Sequence, residues 1–255
     1  SFWYLSYTHP QPPLVPLHTY FERYIRKNIP LPLQSNWSKE TKLTFLNNIK
    51  NRWPEMSAEG IADVRRAFYA LCTHIDAQIR LVIGTLREEK LLDNTIIMIT
   101  SDHGDMLGDF GLFAKRLMYE NSARVPMILL GTKEDKIVGK GEVSNRLVGL
   151  ADIMPTLLDL AKIKIPSSCD GQSMFHKNPR TFLYAEANEN INATRMVTNN
   201  NYKLVWYPYG NSFQFFDLIN DPKELEDVYE KSKFQSHIET LKNILIENLY
   251  EKDLS

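Results

Sequence analysis

The stretch that decides the fold is Thr95–Pro126, TIIMITSDHGDMLGDFGLFAKRLMYENSARVP. It opens with an apolar, β-branched run that shows no polar alternation, the pattern of a central strand covered on both faces. It then breaks into Ser101-Asp102-His103-Gly104. In an open α/β sheet, sites form where loops leave the carboxyl ends of strands, and Asp102 and His103 occupy such a place. Gly104 permits a tight turn, so both side chains can face one point. A carboxylate beside an imidazole serves as a metal pair or an acid–base pair. Ser-Asp before a turn also serves as a helix cap, and residue types alone leave these readings open. Lys115 follows a dozen residues later. It reads either as ordinary surface or as an ammonium aimed at an anionic sulfate or phosphate oxygen.

Outward from this stretch, Ser57–Asn94 carries apolar residues at Ile61, Val64, Phe68, Leu71, Ile75, Ile79 and Val82. Steps of three and four mark one stripe of a long helix, with Ser57 near its start. Val125–Gly131 reads as a second buried strand, and VGLADIMPTLLDLAKI as a helix with Pro155 in its first turns. Helix, strand, loop, strand, helix predicts an α/β layered sheet. At the other end, Phe2–Tyr7 reads as a buried aromatic strand entered at its first residue, as though sequence is missing upstream. Pro10, Pro12, Pro13 and Pro16 then forbid helix and sheet and make a stiff loop that carries His9 and Gln11. The texture shifts near residues 166–175. TFLYAEAN, TRMVTNNNYKLVWYP and FQFFDL read as a small antiparallel meander, with Asn199–Asn201 as a turn. The tail KFQSHIETLKNILIENLYEK has helical spacing. The expected division is therefore residues 1–168, belonging to a large α/β domain, and 169–255, a small C-terminal α+β subdomain.

Composition narrows the function classes. The chain has 255 residues, with 30 Lys and Arg against 31 Asp and Glu. The charges are scattered, so nothing marks the clustered basic face that nucleic acid binding needs. No apolar run approaches the ~18 residues of a membrane span. Two cysteines make no disulfide framework, and Cys72 reads as a small core residue. His74 reads as a satisfied, partly buried histidine. Trp206, Tyr207, Phe215 and Phe216 read as core of the small sheet.

Taken together, TSDHGDMLGDFGLFAKRLMYENSARVP closely resembles the sulfatase signature, roughly SDHGxxLGxHGLxxKxxxYExSxRVP. FWYLSYTHPQPPLVP is similar to the strand and Pro-rich loop upstream in that family. VGLADIMPTLLDLAKI resembles its following helix, and YKLVWYP with FQFFDLINDPKELEDV its C-terminal small sheet. The resemblance covers nearly the whole chain, in order. It implies an alkaline-phosphatase-like fold, with a mixed sheet sandwiched by helices and a small C-terminal antiparallel sheet packed with a helix. It implies hydrolysis of small-molecule or carbohydrate sulfate esters; relatives cleave phosphate or phosphonate esters. It also implies one divalent cation, usually calcium, with Asp102 and His103 as two ligands, although His in the set leaves manganese or magnesium open. Lys115 matches the lysine that contacts sulfate.

Two positions depart from the pattern. Gln11 stands where the family has a histidine, and His9 is the nearby alternative acid. Phe110 stands where the family usually has a second histidine. Neither the Cys/Ser-x-Pro-x-Arg nucleophile motif, whose cysteine becomes formylglycine, nor an Asp-Asp pair occurs in the chain. The expectation is a C-terminal portion of a sulfatase with its nucleophile-bearing part elsewhere and no activity alone, or a non-catalytic sulfatase-like binding protein.

Overall fold

The computed structural model describes residues 1–251 apart from 40, 42, 135, 136 and 140. Its elements are α1 (His18–Ile25), α2 (Thr44–Lys50), α3 (Ala58–Glu88), β1 (Ile97–Thr100), α4 (Glu120–Ala123), β2 (Met127–Leu130), α5 (Ile153–Leu160), β3 (Leu183–Ala187), β4 (Thr194–Thr198), β5 (Tyr202–Tyr207), β6 (Ser212–Asp217) and α6 (Gln235–Glu251). The α/β class read from the sequence holds.

The long helix α3 begins where its cap residue predicts: the Ser57 hydroxyl accepts the Gly60 N–H at 3.1 Å, satisfying a donor that the first turn leaves unpaired. α1 packs along α3 through the Tyr24 and Thr73 hydroxyls, 2.6 Å apart, and a Tyr20–His74 stack at 4.9 Å. His74 is thus a partnered, half-buried histidine. Cys72 differs from expectation. It is exposed, because Ala70 and Leu71 occupy the buried side of that turn.

β1 and β2 pair antiparallel from Ile97 opposite Leu130 to Thr100 opposite Met127. The expected burial on both faces is not found. β1 is half-buried throughout, and Ile128 on β2 is 51% exposed. Among the described residues no further strand bonds to either edge of this ribbon. The expected strand at Phe2–Tyr7 also differs: the segment pairs with no described strand, and its Phe2, Trp3 and Tyr4 side chains lie exposed.

The C-terminal meander matches the reading closely. β3, β4, β5 and β6 form one antiparallel sheet in chain order, with Asn199–Asn201 turning β4 into β5. Alternation along each strand divides its residues between two faces. Val197, Leu204 and Phe215 pack against Phe234 and against Ile238, Leu241 and Leu245 of α6. Met196, Val205, Tyr207 and Phe216 face the other way, onto Met106, Phe110, Leu112, Met118 and Tyr119 of the stretch that follows β1, with Trp37 and Phe45 of the N-terminal region. One hydrophobic core therefore joins that stretch to the sheet.

Lys203 shares the second face and is almost fully buried. Its ammonium donates to Glu224 at 2.7 Å, Glu120 at 2.6 Å and the Met118 carbonyl at 3.0 Å. Burial alone lowers a lysine's pKa, but the two carboxylates outweigh it and hold Lys203 above its ordinary value. Glu224 also accepts the Glu120 N–H at 2.7 Å. A satisfied buried ion cluster adds little net stability, whereas removing one partner costs about 3–5 kcal/mol. Lys203→Met is expected to cost that much in a urea titration. Adding Glu224→Gln, which removes the more deeply buried of the two orphaned charges yet keeps an oxygen for the Glu120 N–H, is expected to restore part of the loss. A single-variant loss under about 1 kcal/mol would show that the cluster is not a tie between sheet and loop.

Candidate functional site

The site is built on the turn after β1. The Ser101 hydroxyl donates to the His103 carbonyl at 2.7 Å, and the His103 N–H donates to Asp102 Oδ1 at 3.0 Å. The doublet thus folds on itself and no helix begins there, so the cap alternative for Ser-Asp drops out. His103 Nδ1 lies 2.8 Å from the Gly104 carbonyl. A carbonyl only accepts, so Nδ1 carries a proton. Nε2 sits 3.5 Å from Asp102 Oδ2. The Asp102 side chain is 81% exposed and that of His103 27%.

Gly104 fixes where this doublet sits. Its N–H donates to the Ser122 carbonyl at 2.8 Å, and a Cβ at this position would lie 2.0 Å from the Asn121 carbonyl oxygen. Only glycine lets the turn lie this close to α4.

Lys115 arrives from the far end of a loop whose neck is closed by the Met106 N–H on the Ala114 carbonyl, 2.9 Å, and tightened by the Gly108 N–H on Leu112, 2.8 Å. It stands between two left-handed residues, Ala114 at φ 63° and Arg116 at φ 70°. Its ammonium donates to Gln11 Oε1 at 2.7 Å. The structure therefore brings Lys115 and Gln11 together across 104 residues, and Asp102 and His103 together in a second pair. His9 is not drawn in: it is exposed and makes no hydrogen bond among the described residues.

Sequence reasoning missed the residues that hold these pairs. Asp109 is buried and accepts the Leu33 N–H at 2.7 Å, the Arg65 guanidinium at 2.6 Å and the Asn121 amide. Arg65 also donates to the Leu107 carbonyl at 3.0 Å and the Pro30 carbonyl at 2.6 Å. Burial pushes the Asp109 carboxyl upward, opposed by the Leu33 N–H and Arg65. The available signal was a charge set among Gly108, Phe110 and Gly111, a place where a solvated acid gains nothing. Phe110, in the family's second histidine position, is buried 4.8 Å from Trp37 in an aromatic cluster with Tyr119. It belongs to the core.

Chemically, the turn offers a carboxylate and an imidazole whose Nδ1–H is taken by a backbone carbonyl, which in the neutral ring leaves Nε2 for a cation. Among the described residues no group of three or more His, Cys, Asp or Glu could hold a metal, so a hard cation, which wants six or more ligands, would need further oxygens.

Comparison with known proteins places these features in context. The profile described as Sulfatase matches residues 3–163, and that described as N-sulphoglucosamine sulphohydrolase, C-terminal, matches residues 108–251. An arylsulfatase of Clostridium perfringens is 33% identical over 255 residues, covering 96% of this chain and 52% of that one. Human arylsulfatase K is 31% identical over 230 residues, covering 83% of this chain and 42% of its own length. The chain thus spans about half the length of these relatives. Among solved structures, a phosphonate monoester hydrolase of Silicibacter pomeroyi superposes with a TM-score of 0.84 at 22% identity, covering 95% of this chain and 54% of that one. A structure in complex with its substrate D-glucosamine-2-N,6-O-disulfate gives 0.81 at 21%, covering 96% and 64%. At such identities these likenesses establish the fold alone; that this fold is alkaline-phosphatase-like follows from the Sulfatase match.

The Gly104 contact is backbone against backbone, with no flexible side-chain end to yield. Gly104→Ala is expected to cost about 3 kcal/mol or more, at the upper end of overpacking, in urea denaturation. A loss under 1 kcal/mol would mean that the turn does not depend on this approach.

Proposed function

The chain belongs to the sulfatase family, and from that premise we propose that it is the part of a sulfate monoester hydrolase that carries the oxyanion-binding lysine and two ligands of the cation. The carrying observation is the meeting of Lys115 with Gln11 at 2.7 Å, which unites the signature loop with the Pro-rich loop. In this reading Lys115 neutralises charge on the non-bridging sulfate oxygens. Its ammonium has three N–H donors, so one can stay on Gln11 while others meet substrate.

Asp102, through its carboxylate, and His103, through Nε2, are the ligands of one divalent cation, calcium by family resemblance, with manganese or magnesium as alternatives. The cation supplies Lewis-acid stabilisation of the ester's oxygens. Its remaining ligands and the formylglycine nucleophile come, in this proposal, from residues outside this sequence, so the 255 residues alone do not turn over. Two facts support that division. The relatives are about twice as long. The four successive apolar side chains Phe2, Trp3, Tyr4 and Leu5 are uncovered, as is Ile128 on β2, although such runs favour burial.

Gln11 shapes the chemistry of departure. With Oε1 engaged by Lys115, its amide N–H groups are left to donate to the ester oxygen. An amide stabilises a leaving oxygen by hydrogen bonding but does not release a proton to it. His9 is the remaining candidate acid. The substrates are sulfated small molecules or carbohydrates, and phosphate or phosphonate esters are the competing class.

The test uses the full-length protein, assayed side by side on p-nitrophenyl sulfate, p-nitrophenyl phosphate and a phenylphosphonate ester. Sulfate is expected to be the preferred group, and Lys115→Ala to lower kcat about 10²–10³-fold. Unchanged turnover in Lys115→Ala refutes the oxyanion role. Preference for the phosphorus esters moves the protein to the second class. Along a series of substituted phenyl sulfates, rates are expected to fall steeply as the phenol becomes more basic. If His9 is the acid, His9→Ala shifts the basic limb of the pH profile; an unaltered profile removes it from that role.

A further inference from the structure

Lys115 needs something to hold it, because its own backbone neighbourhood is unfavourable. A left-handed conformation at a residue with a side chain costs about 1–2 kcal/mol, and Ala114 and Arg116 both adopt it. Leu107, at the other end of the same loop, is also left-handed at φ 47°. Such conformations persist only where surrounding contacts over-determine them. The Asn188 side-chain amide restrains one side by donating to the Arg116 carbonyl at 3.2 Å. The other side is restrained by Asp105. Its Oδ1 accepts the Leu107 N–H at 2.9 Å, and the N–H of the next residue, Met106, closes the neck onto the Ala114 carbonyl at 2.9 Å. Asp105 thus fastens the near end of the loop at the point where its far end, one residue before the lysine, is tied in. His103 and Lys115 both lie within its electrostatic reach.

We propose that Asp105 is the positioning residue that fixes Lys115 relative to the Asp102–His103 doublet. It acts through the backbone of Leu107 at the neck of the loop and touches neither substrate nor cation. The inference rests on the sulfatase reading of Lys115 given above. Asp105 has room for substitution: it borders an open cleft of about 440 Å³ shared with Arg65, Tyr69, Glu120 and Arg124. A shorter side chain there is replaced by water and leaves no closed void.

The experiment is a double-mutant cycle in the full-length protein on p-nitrophenyl sulfate, with urea titrations of every variant. Asp105→Ala is expected to lower kcat about 10- to 100-fold, the scale of an ångström-sized misplacement of a catalytic group, with little change in KM. Asp105→Asn keeps an acceptor oxygen for the Leu107 N–H but accepts more weakly than a carboxylate, so it is expected to lower kcat about fivefold, short of the misplacement that alanine causes. In a Lys115→Ala background, either change is expected to cost less than about twofold more, because a lysine that is gone cannot be misplaced. Equal losses in both backgrounds overturn the proposal, as does wild-type kcat in both Asp105 variants. Should Asp105→Ala not fold, the asparagine cycle decides alone on the same criteria. If Lys115→Ala itself leaves kcat unchanged, it is the sulfatase reading of Lys115 that fails.

Discussion

The close approach of Gly104 to the backbone of α4 is the constraint on which the rest of this site depends. A strand end followed by Asp-His could deliver those side chains in many directions. The Gly104 N–H on the Ser122 carbonyl, at 2.8 Å, removes that freedom without using any side chain. It leaves Asp102 and His103 on the outer side of the turn, with their oxygens and Nε2 available. The same four-residue helix contributes Asn121 to Asp109 and Glu120 to Lys203. The spacing between the Asp-His-Gly turn and the Glu-Asn-Ser turn is thus set by a physical contact between their backbones. What lies between them is the loop that reaches Lys115.

That loop is fastened on two sides by unlike means. Toward α3 it is held by charge: Arg65 spends its donors on Leu107, Pro30 and Asp109, a guanidinium fork filled in several directions at once. Toward the C-terminal sheet it is held mainly by apolar contact, with Met106, Phe110, Leu112 and Met118 against Val205 and Phe216. Fully burying each such side chain contributes about 1.5–3 kcal/mol. The Lys203 cluster has a modest net contribution, so the apolar contact supplies most of the cohesion. What the cluster adds is register. Slipping β5 by one residue would place Lys203 against α6 and bring Leu204 to the carboxylates of Glu120 and Glu224.

Much of this was legible in the sequence. The period of three and four gave α3, and Ser57 gave its start. Asn199–Asn201 and the flanking aromatics gave the β4–β5 turn. The Asp-His-Gly block with Lys115 drew attention to the site, and Lys115 does meet Gln11. The parts that were not legible share a cause. Phe2–Tyr7, β1 and β2 read as buried because aromatic and β-branched runs are written for burial, and within the described residues their covering is incomplete. Cys72 read as core from composition, yet it lies on the outer side of its turn. Asp109 and Arg65 act through backbone groups of residues far along the chain, and charge-to-backbone contacts leave no periodicity to detect.

On the proposed reading, Gln11 takes over part of the task that the resemblance gives to a histidine. A neutral imidazole beside a lysine offers one acceptor nitrogen and one donor. Glutamine offers an acceptor oxygen with two lone pairs and two donors, so it can take the Lys115 ammonium at 2.7 Å and still present N–H groups outward. In the reading proposed above, Gln11 does not deliver a proton. Electrostatic stabilisation of the oxyanion, the larger contribution, is then kept, and a general-acid contribution of about 10²–10⁴-fold is absent unless His9 supplies it. On that proposal the absence falls unevenly across substrates: it is small for a phenol, whose anion leaves readily, and large for a sugar hydroxyl, whose alkoxide does not.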